Sequence, residues 1–154
     1  MTLADDRRND AITILNKILE AELAGVVRYT HYSLMVYGYG RIPIVKWLRQ
    51  QADEGLLHAQ QAGELITALG GHPSLGIGDL LETYRHDIGD ILKESLEHEA
   101  LARDLYVNLL NCAAGHSIML EEYARRLVAE EEMHASEVDK MLRSPGAIAA
   151  FGDA

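Results

Sequence analysis

Cysteine, proline and large aromatic residues are scarce in this chain of 154 residues. A single cysteine, Cys112, excludes an intramolecular disulfide and fits a reducing compartment. Three prolines, Pro43, Pro73 and Pro145, leave long stretches free of helix breakers. One tryptophan and one phenylalanine mean that any core is built mostly from aliphatic residues and tyrosine. Positive charge is in deficit: 14 Lys and Arg against 24 Asp and Glu give a net charge of −10. That balance argues against nucleic acid as a partner, because phosphates would be repelled. It suits solubility and the attraction of cations. No apolar run approaches the roughly 18 residues of a membrane span. The N-terminal stretch is polar from Asp5 onward and does not resemble a signal peptide. The expected location is the cytoplasm. The length suits one domain, with its core over about 5–143 and a short, loosely held tail over 144–154.

What remains is helical. Gly38-Tyr39-Gly40, Gly70-Gly71-His72-Pro73 and Ala114-Gly115-His116 divide the chain into four long segments, and Ser144-Pro145-Gly146 ends the last. The first segment runs from about Asp5 to Val36, with Ile12, Leu15, Leu19, Glu22, Val26, Tyr29 and Val36 at helical spacing. The second runs from about Ile44 to Ala68, with Trp47, Leu48, Gln51, Glu54, His58, Ala62, Leu65 and Leu69 on one side. Pro43 sits near its first turn, where a missing N–H costs nothing. The third ends near Cys112; its stripe is Ile88, Leu92, Leu96, Glu99, Tyr106 and Leu110, with Arg103 interrupting it. The fourth follows His116, with Ser117 as N-cap. Short joins make the first two and the last two segments antiparallel hairpins. The long middle join, roughly Gly70 to Arg85, carries local helical character at Leu80-Leu81-Glu82-Thr83-Tyr84. The expected fold is an all-α four-helix bundle with a long crossover between helices two and three. No internal repeat is strong enough to argue from.

Each segment places acid in its own apolar stripe. The fourth contains Glu131 and His134, three apart and therefore neighbours on a helix. The second contributes Glu54 and His58, the first Glu22 and the third Glu99. Carboxylates gathered in one core would repel and protonate; two divalent cations would offset their charge. Carboxylate with imidazole suits iron or manganese, and zinc can also bind. One Glu from each of two helices, with Glu and His from each of the other two, is the pattern of di-iron carboxylate bundles.

These stretches resemble bacterioferritins. Leu15-Asn16-Lys17-Ile18-Leu19-Glu20-Ala21-Glu22-Leu23 with Tyr29 looks like their first helix. Asp53-Glu54 with His58-Ala59, then Gly71-His72-Pro73-Ser74-Leu75, resembles their second helix and the start of the crossover, and Glu131-Glu132-Met133-His134 their fourth-helix motif. The similarity covers roughly residues 8–142. It implies a ferritin-like fold, two iron ions per subunit, ferroxidase chemistry with dioxygen or hydrogen peroxide, and usually a hollow shell storing ferric mineral. It assigns Glu22 as the first-helix carboxylate, His58 as the second-helix imidazole, and Glu131 and His134 as the fourth-helix bridging carboxylate and imidazole.

Three positions depart from the family pattern. Glu54 and His58 are four apart where the family has three, which still allows a shared face or a local π-bulge around Gly55. A gapless alignment sets His98 at the third-helix carboxylate, whereas Glu99 faces the stripe; Glu97 falls roughly 100° off it. Gly55 and Leu56 stand where the haem-ligating methionine belongs, so haem is not expected.

Tyr29 and Tyr106, each seven residues beyond a proposed ligand, read either as donors to site carboxylates or as plain core tyrosines. His31, His72, His86 and His116 read as surface or loop residues, and Met35, Met119, Met133 and Met141 as core or interface filler. Arg103 reads as a partner for an acid near the site or as part of a subunit contact. Three functions follow: iron oxidation and storage, a non-storage di-metal redox enzyme (rubrerythrin-like peroxidase or manganese catalase), or an interaction module. The lone cysteine excludes the four-cysteine iron module of rubrerythrins within this chain. The expected partners are iron and its oxidant, with no membrane, and further copies of the chain in a dimer or a shell of roughly 12 or 24 subunits.

Overall fold

A computed structural model describes residues 3–146. Among the described residues, four helices account for all the regular structure: α1 (Asp5–Met35), α2 (Arg41–Ala68), α3 (Ile88–Ala113) and α4 (Ile118–Leu142). Their ends follow local chemistry. Asp5 and Asp6 set negative charge in the first turn of α1. Asp87 caps α3 by accepting from the Gly89 N–H at 3.0 Å. Ser117 caps α4 as expected, accepting from the Leu120 N–H at 3.3 Å. Gly70 closes α2 in the left-handed region, φ +82°, where an L side chain would be strained. α2 starts at Arg41, one turn before the expected boundary, with Pro43 inside its first turn.

α1 and α2 form one antiparallel hairpin and α3 and α4 the other; α1 also packs on α3. Two apolar clusters fill the bundle. Leu15, Ile18, Ala62, Ile66, Leu109, Leu120 and Leu127 belong to the first, and Tyr32, Val36, Val45, Leu48 and Ile91 to the second. Between them runs a buried polar layer of Glu22, His58, Glu99 and Glu131.

α2 ends beside the start of α1, while α3 begins beside its far end, so the crossover must climb the bundle. It climbs along α1. The Ser74 N–H donates to Asn16 Oδ1 at 2.8 Å, the Ser74 hydroxyl to Glu20 Oε1 at 2.6 Å, and the Gly78 N–H to the Glu20 carbonyl at 2.9 Å. The helical turn expected at Leu80–Tyr84 is absent. So short a segment gains few internal bonds, and its backbone is committed elsewhere, with Tyr84 at φ 55°. The π-bulge allowed around Gly55 is absent too: α2 runs through it as a regular α-helix. The tail expected over 147–154 lies outside the described residues. Among the described residues, no helix is long and apolar enough to cross a membrane.

Candidate metal centre

The polar layer surrounds a small internal cavity lined by Glu22, Gln51, Glu54, His58, His98, Glu99, Glu131 and His134. Glu22, His58 and Glu131 each bring one ligand atom within 4.8 Å of the others, and Glu99, Glu131 and His134 do the same. Glu131 is common to both groups and is 3% exposed. Its Oε2 is buried without a hydrogen-bond donor. Burial, then the adjoining Glu99 and Glu22, push its carboxyl up to about 12. Burial alone would raise Glu99 as well, but the Glu131 and Tyr29 hydrogen bonds hold it below the ordinary range. Without a cation, the two acids are compatible only by retaining a proton.

Both tyrosines act as donors to site carboxylates. Tyr106 on α3 donates to Glu22 Oε1 on α1 at 2.7 Å. Tyr29 on α1 donates in return to Glu99 Oε1 on α3. Burial and these carboxylates hold both phenols well above their ordinary value, so they remain protonated donors.

α2 and α4 are linked in the same reciprocal way. His134 Nε2 lies 2.9 Å from Glu54 Oε2, and His58 Nε2 lies 3.0 Å from Glu130 Oε2. The other nitrogen of His58, Nδ1, is 3.5 Å from Glu22 Oε1. Burial depresses His58, but Glu22 and Glu130 outweigh it and raise the imidazole. Glu54 is half-exposed and lies outside both three-residue groups, at the rim of a groove between α2 and α4.

Gly55, three residues before His58, is the buried α2 position facing the centre; a Cβ there would lie 3.7 Å from Glu22 Oε2. His98 is buried beside Glu99 but belongs to neither group. Its Nε2 occupies space next to Gly25, 2.8 Å from where a Cβ would stand, and its ring meets Tyr29 edge-on. Burial keeps it a neutral imidazole. Arg103 pairs with Glu132 at 2.9 Å on the exposed α3–α4 face. Reading the sequence missed Glu130; the signal available was its spacing of four from His134, the same as Glu54 to His58.

A four-helix bundle with a buried carboxylate and imidazole layer is the architecture of the ferritin-like proteins. Residues 12–145 match the family model for the ferritin-like domain, and the chain belongs to that family. Among solved structures it resembles a ferritin-like, diiron-carboxylate protein from Bacillus anthracis str. Ames at 22% identity, covering 91% of this chain and 100% of that one, with a TM-score of 0.85. A dodecameric thioferritin, the bacterioferritin-related protein of Bacteroides fragilis, shares 24% identity over 88% of this chain and 85% of its own, with a TM-score of 0.80. The Desulfovibrio desulfuricans bacterioferritin, which has a diiron site, shares 25% identity over 89% and 80%, with a TM-score of 0.78. A comparison with curated protein sequences returns no match.

Proposed function

We propose that the chain oxidises ferrous iron at an intra-subunit di-iron centre and passes the ferric product to storage within a homo-oligomer. The observation that carries this reading is Glu131, a buried carboxylate shared by two ligand groups, with one oxygen lacking any donor. The residues fit a pair of divalent cations. Hard carboxylate oxygens and imidazole nitrogens suit iron or manganese, and also zinc. Glu22, His58 and Glu131 would hold one ion; Glu99, Glu131 and His134 would hold the other, with Glu54 at its side. Bound there, two ferrous ions would supply one electron each, enough to reduce dioxygen or hydrogen peroxide by two electrons.

The chain's own residues set the geometry. Tyr106 and Tyr29 fix Glu22 and Glu99, and Glu130 turns His58 so that Nδ1 faces Glu22. Such outer partners keep ligands in register before metal arrives. The α2–α4 groove shares Glu54, His58 and His134 with the cavity lining, and in this reading water and small oxidants enter there. No haem is included in this reading, because Gly55 and Leu56 stand at the methionine position.

The Desulfovibrio neighbour has a diiron site and the Bacteroides neighbour is a dodecamer; both properties are extended to this chain as part of the proposal. The same centre would also serve a di-metal redox enzyme that retains its metals. Anaerobic loading followed by stopped-flow oxidation tests the centre. Glu131→Ala and His134→Ala are each expected to slow initial Fe(II) oxidation at least about tenfold and to reduce metal content. An unchanged rate with unchanged metal content refutes the placement. Uptake of many irons per chain supports storage; saturation at two supports the redox enzyme.

A further inference from the structure

A second cluster lies outside the central cavity, where the crossover passes the C-terminal part of α1. His31 Nε2 is 2.9 Å from Glu82 Oε2, and His86 Nε2 is 3.4 Å from Glu82 Oε1. The imidazole centroids are 5.6 Å apart. One ligand atom from each residue falls within 4.8 Å of the other two. Both Nε2 atoms are shielded from solvent, and neither makes a hydrogen bond. The carboxylate is therefore near both nitrogens but misdirected for N–H donation. Buried nitrogens left unsatisfied in this way are costly, and a cation among them removes the cost.

The surrounding bonds fix this arrangement. The Tyr84 N–H donates to Glu82 Oε1 at 2.5 Å, and Tyr84 turns the chain at φ 55°. That reversal brings Glu82 and His86 to one place without a helix between them. The Thr83 hydroxyl donates to Glu94 on α3, whose second oxygen accepts from Tyr32 at 2.8 Å. Segment 82–86 is thereby held against both α1 and α3. Zinc bonds of about 2.0–2.2 Å to nitrogen and oxygen set tetrahedral ligand–ligand edges near 3.3 Å. The two nitrogen–carboxylate separations bracket that edge.

The geometry points to a mononuclear divalent transition-metal site at His31, Glu82 and His86, which takes zinc, cobalt or ferrous iron. Two imidazoles and one carboxylate leave a coordination position open to solvent, and the ligand side chains are themselves partly exposed. Bound metal clamps the crossover to α1. The site rests on these three residues and not on the central cluster.

The full-length apoprotein is dialysed anaerobically against Co²⁺, and cobalt per chain is counted for the parent, His31→Ala, Glu82→Gln and the control His116→Ala. His31→Ala and Glu82→Gln should each bind one cobalt fewer than the parent and lose the visible absorption of a tetrahedral cobalt centre; His116→Ala should bind as the parent does. Glu82→Gln keeps the side chain's shape, which guards against simple misfolding. Equal cobalt content in the parent and both variants overturns the site. Glu131→Ala separates the two clusters: it should lose central metal and keep the His31-dependent cobalt. In zinc-soaked crystals, an anomalous peak among the three residues supports the site, and peaks only elsewhere overturn it.

Discussion

Glu131 stands between Glu22 and Glu99 with one oxygen out of reach of any donor. Its carboxyl moves from an ordinary 4.5 to about 12, first through burial and then through Glu99 and Glu22. A raised acid stabilises the fold fully below its unfolded value and loses that contribution as pH rises toward the folded one. Across neutral pH the group therefore works against folding, because the unfolded chain releases the proton that the fold retains. Glu131→Gln should stabilise the chelator-treated protein at pH 7–8, on the order of 1–3 kcal/mol, and flatten its stability between pH 5 and 9. Thermal melts with and without EDTA check this, and an unchanged or lower melting temperature in EDTA counts against it. At this scale much of the site was legible. Glu22, Glu131 and His134 declared themselves as polar residues on apolar stripes. The stripe favoured Glu99 over His98; both are buried, and Glu99 is the one grouped with Glu131 and His134. Glu130 was hidden because it sits one step off the stripe and reaches His58 across the groove, which no pattern within one helix reports.

The third helix shows what periodicity leaves out. Its buried seam runs through Ile91, Leu92, Ser95, His98, Glu99, Ala102, Tyr106, Leu109 and Ala113. The large residues Leu96 and Leu110 suggested a stripe turned slightly away, and both are only partly buried. Ser95 and Ala102 occupy the tight positions, and small side chains leave a weak signature in an apolar count. α1 makes the matching concession at Gly25. Gly25→Ala would gain helix propensity but set a Cβ 2.8 Å from His98 Nε2. The buried ring has to move, which should cost about 1–3 kcal/mol. Adding His98→Ala should recover part of that loss in a double-mutant cycle read by urea denaturation. Strict additivity would show that the two residues do not conflict. The helix lengths and hairpins were legible because breaks and caps are local. The course of the crossover was not, since Asn16, Glu20 and Glu94, all distant in the chain, hold it in place.

Over the whole chain, considerable apolar surface remains uncovered. Tyr39 is fully exposed, Ile42 is 84% exposed and Ile118 is 75% exposed, with Leu56, Leu75 and Met119 also open. The proposed homo-oligomer assigns these side chains to contacts between copies of the chain. Native mass by light scattering should return a high multiple of the chain mass. A monomer would contradict self-association, and a dimer saturating at two metals per chain would remove storage. Glu22 and Tyr29 exchange hydrogen bonds with Tyr106 and Glu99, while Glu54 and His58 exchange contacts with His134 and Glu130. Like residues recur at nearly the same offset, about half the length of the chain: Glu22 with Glu99, Tyr29 with Tyr106, Glu54 with Glu130 and His58 with His134. Too few positions repeat for the sequence to advertise it. The bundle is thus a pseudo-dimer of two half-chains, each of which carries one clasp for the other. At the same offset Glu131 corresponds to Gly55, and there the two halves differ. One half thus presents a carboxylate to both candidate ligand groups where the other has only a hydrogen atom.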